Sequence, residues 1–292
     1  MTSAAAVPAA RPAPPRRPRR GLGAVSLTPA SSLALGVTMT WFSLLVLIPL
    51  AAVVATAAGG GWSGFWQSIT SENVVAAIRL TVWQAFLVTL INAVMGTATA
   101  WVLVRYQFYG KRLLDVAIDI PFALPTIVAG LVLVSLYGDG STAEIPLLGI
   151  PLDWATDERA ITLAFLFVTL PFIVRTVQPV LEELDHDVEE AAASLGASRL
   201  TIFRRIILPS LTPAIAAGAA LSFARAISEF GALVLLSSNL PNKTEVISIR
   251  VLSFIEGDDP AAAAAVATVM LAIALLVIVV LDILQRRVSR RG

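Results

Sequence analysis

The sequence predicts an all-α membrane protein with about six transmembrane helices, and three observations predict it. The 292 residues are 57% hydrophobic and 14% charged, with a mean hydropathy of +0.82, against about 45–50% apolar and about 25% charged in soluble domains. Six apolar stretches are each long enough to cross a hydrocarbon core of about 30 Å, which takes about 20 helical residues. The alternating pattern of a membrane barrel is absent, so the backbone polar groups in lipid must be satisfied inside helices.

In chain order, residues 1–30, "MTSAAAVPAARPAPPRRPRRGLGAVSLTPA", are Pro, Ala and Arg-rich without an apolar period. They bury too little to offset the entropy of ordering, which predicts a disordered cytoplasmic tail. The membrane domain follows over 31–286, and 287–292 form a second cytoplasmic tail. The spans are expected at Leu33 to Ala58, Leu80 to Val104, Val116 to Tyr137, Ile161 to Gln178, Leu211 to Ser237 and Ala262 to Leu284. A basic stretch ahead of the first run invites a signal-peptide reading, but the run far exceeds the roughly 7–15 residues of a signal core. It reads as an uncleaved first span.

Lys and Arg set the orientation. One side collects Arg11, Arg16, Arg17, Arg19 and Arg20, then Arg105, Lys111 and Arg112, then Arg175, Arg199, Arg204 and Arg205, and finally Arg286, Arg287, Arg290 and Arg291. The other side has Arg79, Arg159, Lys243 and Arg250. The excess belongs in the cytoplasm, so a multi-pass protein of the cytoplasmic membrane is expected, with both termini cytoplasmic.

This topology puts the long polar loop 179–209 in the cytoplasm. Its first half is acidic, with Glu182, Glu183, Asp185, Asp187, Glu189 and Glu190, and its second half carries Arg199, Arg204 and Arg205 among apolar residues. "EEAAASL" favours helix, Gly196 can supply the left-handed residue that ends it, and Ser198 can cap the next helix. The loop is expected to form a short helix, a tight turn and an amphipathic helix leading into the fifth span. The other reading of this hairpin lays it on the membrane, where its acidic residues would meet an anionic leaflet.

Glu190-Ala191-Ala192, Gly196, Ile206 and Leu208-Pro209 keep the spacing of the "EAA" signature of binding-protein-dependent ATP-binding-cassette importers, and over 75–285 the chain resembles the permease subunits of that family. The stretches "DIPFALPTIVAGLVLVSLYG", "FARAISEFGALVLLSSNLPNKTEV" and "GDDPAAAAAVATVML" look like the T-type subunit of sulfate/thiosulfate importers, although Ser228 stands where that family commonly has Gly. Molybdate and tungstate permeases share the Glu-Phe-Gly segment and differ around "PFALPTIVAG". The resemblance implies a type I importer permease (MetI-like) fold, in which the short helix is a coupling helix docking on a cytoplasmic ABC ATPase dimer. Glu190, Ala191, Ala192, Gly196, Ile206, Leu208 and Pro209 would then be the ATPase-coupling residues. It also implies alternating-access import of sulfate or thiosulfate, with a W-type second permease and an extracytoplasmic sulfate-binding protein as partners. Molybdate or tungstate is the alternative cargo.

The chemistry-bearing residues agree with a transport role. There is no G-x-x-x-x-G-K-[ST] loop, so no cofactor is expected in this chain, which is not itself an enzyme; ATP and Mg would sit on the partner ATPase. No cysteine is present, and His186 alone among carboxylates does not make a metal site. The pairs Glu182/Glu183 and Asp258/Asp259 lack a nucleophile or cofactor motif and read as solvated surface. Asp115 and Asp119 are expected to favour the positive end of span three. The expected partners are proteins and the lipid bilayer, with no nucleic acid.

Inside the spans, a charge at the bilayer centre is unfavourable by about 2.5–3.5 kcal/mol on insertion scales and usually faces protein or water. Arg225 and Glu229, four apart with Ser222 beside them, read either as part of an anion pathway or as a self-neutralising pair at a helix interface. Pro121, Pro125, Gly130 and Pro171 weaken helix hydrogen bonds at membrane depth. They either shape a cavity and gate, for which Pro121 and Pro125 are the candidates, or act as passive kinks. A secondary transporter that needs no ATPase would instead require coupling carboxylates in the spans, where only Glu229, Asp119 and Asp282 qualify.

Overall fold

The computed structural model describes residues 28–137, 144–145, 150–151 and 158–289. Most of the two predicted tails lies outside these residues, and the chain divides into two units, 1–50 and 51–292. In the first unit, α1 (Pro29–Phe42) starts under Thr28, whose side chain accepts from Ser31 N at 3.3 Å. Pro29 fits the first turn, where an N–H would have no helical partner, so the helix begins inside the stretch assigned to the tail. A π-helical turn, Ser43–Leu47, precedes α2 (Ile48–Gly59), which carries the chain into the second unit. Leu33, Trp41, Leu44 and Ile48 are exposed, a surface for lipid rather than water.

In the second unit α3 (Gly61–Thr70) and α4 (Glu72–Arg105) follow at once, so the expected loop at 59–79 is mostly helical. On α4 the buried positions Val74, Ala77, Thr81, Ala85, Val88, Asn92, Gly96, Ala100 and Leu103 recur at the helical period, while Trp83, Phe86, Leu90 and Val94 stay exposed. The inner stripe packs on α8 (Glu158–Glu183). Thr162 Oγ1 donates to Gln84 Oε1 at 2.7 Å and Asn92 Nδ2 to Thr169 Oγ1 at 2.8 Å, so the two helices run parallel. Such polar links hold helices together where burial from water offers no drive.

The third span is broken. It comprises α5 (Lys111–Ile118), α6 (Ile120–Ala123) and α7 (Thr126–Tyr137), with a bend of 116° between the α5–α6 arm and α7. The break falls at Leu124–Pro125, where Leu124 is extended, at φ −86° and ψ 135°, as the residue before a proline prefers. Pro121 lies in the first turn of α6 and interrupts nothing. Pro171 and Pro179 sit inside α8, which runs on unbroken to Glu183. The fourth span, expected over Ile161 to Gln178, is therefore corrected to a longer helix that Pro171 does not interrupt.

The fifth span is corrected as well. α11 (Leu208–Ile227) stops at Ile227, and α12 (Gly231–Leu236) is a separate short helix packed on α7. α13 (Ile247–Glu256) and α14 (Pro260–Ser289) complete the unit, α14 passing the expected domain end at 286. Among the described residues, five helices are long and apolar enough to span, and six if the bent pair counts as one span. One apolar cluster joins α4, α7, α8, α11, α12, α13 and α14 around Phe165, Phe223, Leu233 and Ile247. Another gathers Leu103, Ile118, Ile173, Leu181, Ile207 and Leu211 at the end where the polar loop lies.

Candidate functional site: the polar loop and the broken helices

α9 (His186–Ser194) forms where the acidic, alanine-rich stretch predicts it. Asp185 caps it by accepting from Asp187 N at 2.9 Å, and Asp187 and Glu189 complement the positive end of the helix. Gly196 has φ +86°; its N–H donates to Ala193 O at 2.9 Å, and Ala197 N donates to Ala192 O at 3.1 Å. These two bonds make a Schellman ending, which requires a left-handed residue at the glycine position. Ser198 then caps α10 (Arg199–Ile202) by accepting from Thr201 N at 3.3 Å.

One face of α9 is held down and the other is displayed. Arg105 at the end of α4 pairs with Glu189, donates to His186 Nδ1 at 2.9 Å, and lies 5.2 Å over the Trp101 ring. Trp101 meets Phe203 edge-on at 5.7 Å. Ala192 is half-buried against the neighbouring apolar cluster. Glu190, Ala191 and Gly196 are exposed, as are Leu195 at 89% and Leu200 at 64%. The result is a small projecting surface with an acidic residue beside bare apolar side chains.

Ile206, Leu208 and Pro209 lie on the next element and stand apart from this knob. Phe203–Ile207 is a π-helical turn in which Leu208 N donates to Phe203 O, five residues back. Pro209 has no N–H to offer the helix, and the widened turn absorbs that irregularity. Ile206 is half-buried in the apolar cluster, so these three join the loop to α11.

The candidates in the spans meet at two helix breaks. Arg225 lies in the last turn of α11, and its Nη2 is 2.8 Å from Glu229 Oε2, although Glu229 itself falls beyond the helix end. The Glu229 side chain is fully buried, and Arg225 is 31% exposed. The other carboxylate oxygen accepts from Ala232 N at 3.0 Å and so starts α12, while Ser248 donates to Glu229 O at 2.8 Å. Ser222 is buried, and its hydroxyl has no hydrogen-bond partner among the described residues. At the break after Pro125, a Cβ on Gly231 would stand 2.2 Å from Thr126 Oγ1, and one on Gly130 would stand 2.6 Å from Ala232 O. Gly130 thus serves close packing, and the breaks at Pro125 and Glu229 face each other.

Sequence reading missed an ion cluster. Arg175 on α8 donates Nε and Nη2 to the two oxygens of Asp119 at 2.8 and 2.7 Å. It also donates Nη1 to Asp115 Oδ1 and Gln178 Oε1, and Nη2 to Asp115 O, each at 2.8 Å. Because α5 begins at Lys111, Asp119 sits at its C-terminal cap. Asp119 is also the N-cap residue of α6 but makes no side-chain cap there; its carboxylate is taken up by Arg175 instead. The signal was two aspartates four apart plus one arginine in an apolar run.

At the end opposite α9, Arg79 and Lys243 line a cavity of about 550 Å³ with Glu158 and Glu245. Arg159 and Lys243 line a neighbouring one of about 830 Å³ that shares Glu158 and Asn242. Arg250 is engaged by Glu245 at 3.6 Å and by the Phe254 ring at 4.9 Å.

Comparison with known proteins places these features in a family. Residues 92–291 match the model of the binding-protein-dependent transport system inner membrane component. The chain is 43% identical over 263 residues to the sulfate transport system permease protein CysT of Salmonella typhimurium, covering 90% of this chain and 95% of that protein. It is 39% identical to the protein of the same name from a Synechocystis strain, over 92% and 94%. Among solved structures, a chain of a bacterial alginate ABC transporter superposes with a TM-score of 0.73 at 18% identity, over 88% of this chain and 94% of that one. A chain of the MetNI methionine ABC transporter gives 0.52 at 16% identity, over 75% and 99%, so the MetI-like fold is the one observed. The chain belongs to the family of binding-protein-dependent transport system inner membrane components.

Proposed function

We propose that the chain is the T-type membrane subunit of an ATP-driven importer of sulfate or thiosulfate. The observation that carries this reading is the 39–43% identity, over nine-tenths of the chain, to proteins named as sulfate transport permeases. The displayed surface of α9 and the turn into α10 supports a motor contact: Glu190 and Ala191 of α9, Leu195 of the turn and Leu200 of α10 are exposed together, and the chain holds no phosphate-binding loop of its own. On this reading the ATPase dimer, with ATP and Mg, docks at Glu190, Ala191, Ala192 and Gly196, while Ile206, Leu208 and Pro209 fix the loop to α11.

The excess of cations at the α9 end supports a cytoplasmic loop and cytoplasmic termini. The opposite end then faces the binding protein, where Arg79, Arg159 and Lys243 outnumber Glu158 and Glu245, the latter engaged by Arg250, and leave a small excess of positive charge to meet an anion. A loaded binding protein docks there, ATP closes the ATPase dimer, and α9 passes that movement into the spans, which reopen outward to accept the anion. A W-type permease supplies the other half of the pore. Arg225 and Glu229 form a pair at the α11–α12 break, next to the break after Pro125, where a gate between broken helices would open.

Two experiments test this. Gly196→Pro in correctly inserted protein is expected to abolish co-purification of the ATPase; an ATPase that stays bound and coupled contradicts the docking site. Arg225→Lys keeps the charge and Arg225→Ala removes it. A pathway role predicts transport loss in both after correction for insertion, and normal uptake in both removes Arg225 from the pathway.

A further inference from the structure

We infer that Arg175 is a positioning residue for transport: its clamp on Asp115 and Asp119 carries movement of the α8–α9 arm to the broken span α5–α7. The inference rests on α9 being the ATPase contact.

Four features of the structure support it. The first is saturation: a guanidinium has five N–H donors, and Arg175 makes five hydrogen bonds, including a two-pronged pair with Asp119. A lysine offers one point charge and cannot reproduce that fork. The second is the weak packing of the held element. In α5, Leu113 is 76% and Val116 62% exposed, only Ile118 is buried, and α6 buries no residue. The Arg175 clamp, with Ile118 and the edge-on contact of Phe122 with Phe172 at 5.1 Å, therefore sets where this arm lies against α8.

The third is placement. Arg175 lies two turns before the end of α8, and only Leu184 and Asp185 separate that end from α9. The fourth is what lies beyond the bend. α7 and α12 touch without clearance at Gly130 against Ala232 and Thr126 against Gly231. A displaced α7 must therefore move α12, whose first turn is bound by Glu229. Motion entering at α9 thus has an unbroken route of helix, ion pair and backbone contact to the α11–α12 break.

The test uses the complete transporter, with its second permease, ATPase and binding protein, in proteoliposomes. ATP hydrolysis stimulated by the binding protein and anion uptake are measured on the same preparation, with radiolabelled sulfate as the probe. Arg175→Lys is expected to keep the ATPase bound and hydrolysis within about twofold, while the anions moved per ATP fall about tenfold, the equivalent of one hydrogen bond to a charged group. Asp119→Asn, which keeps shape and size, is expected to uncouple in the same direction. Combining Arg175→Asp with Asp119→Arg is expected to recover part of the ratio. An unchanged number of anions per ATP in Arg175→Lys and Asp119→Asn overturns the proposal, and so does a parallel loss of hydrolysis and uptake, which marks a purely structural anchor. Gly196→Pro is run alongside: if it keeps the ATPase, the reading of α9 fails, whereas if it loses the ATPase and Arg175→Lys transports normally, only the clamp fails.

Discussion

At the residue scale, Gly196 does the most with the least. Its φ of +86° lets two backbone bonds close α9 and turns the chain within two residues toward the Ser198 cap. A side chain in that region is unfavourable by about 1–2 kcal/mol, and Asn tolerates it better than most residues. Gly196→Ala is therefore expected to weaken ATPase capture several-fold, and Gly196→Asn to do so less, in pull-down titrations of inserted protein. Equal capture by both variants and the parent would mean the turn is not needed for docking. This residue was legible in the sequence, because a glycine after an alanine-rich helix and before a serine cap has a local physical meaning. Arg175 was not. Its role depends on Asp115 and Asp119, about sixty residues away, and no local rule pairs them.

At the element scale, the long helices were readable from length and composition, and the break at Pro125 was signalled by the proline, whereas the break at Glu229 was not. α4 repeats its buried stripe from Val74 to Leu103; apolar length predicted it from Leu80 onward, while its first turns, from Glu72 to Arg79, fell in an expected loop. The apolar run from Leu211 to Ser237 has the length of one span, yet it divides because the Glu229 carboxylate binds Ala232 N and starts a new helix. Hydropathy has no term for that bond. Pro125 breaks its helix while Pro171 does not interrupt its own, since the neighbours decide which proline is tolerated: α7 packs against α12, and α8 runs on between α4 and α11. Gly130 is the packing point of that first choice. Gly130→Ala would put a Cβ 2.6 Å from Ala232 O, and overpacking is unfavourable by about 1–3 kcal/mol. Expected is a lower unfolding temperature in detergent together with reduced transport. Unchanged stability would mean that α7 and α12 are free to separate.

At the scale of the whole molecule, two ends with different chemistry are joined by parallel and antiparallel spans. One end displays α9; the other gathers Arg79, Arg159 and Lys243 around adjoining cavities. The chain has no cysteine, so single-cysteine variants report sidedness against a silent background. Ser198→Cys is expected to react with an impermeant maleimide only after the cytoplasm is opened, and Lys243→Cys in intact cells; the reverse pattern would invert the membrane orientation. The measurement that tests the account most directly is radiolabelled sulfate uptake in a strain deleted for this chain and complemented with it, with molybdate and thiosulfate as competitors. The account predicts that uptake returns, requires the partner ATPase, and is displaced by thiosulfate more readily than by molybdate. Restored uptake that persists when the ATPase is removed, or uptake of molybdate in place of sulfate, would contradict it.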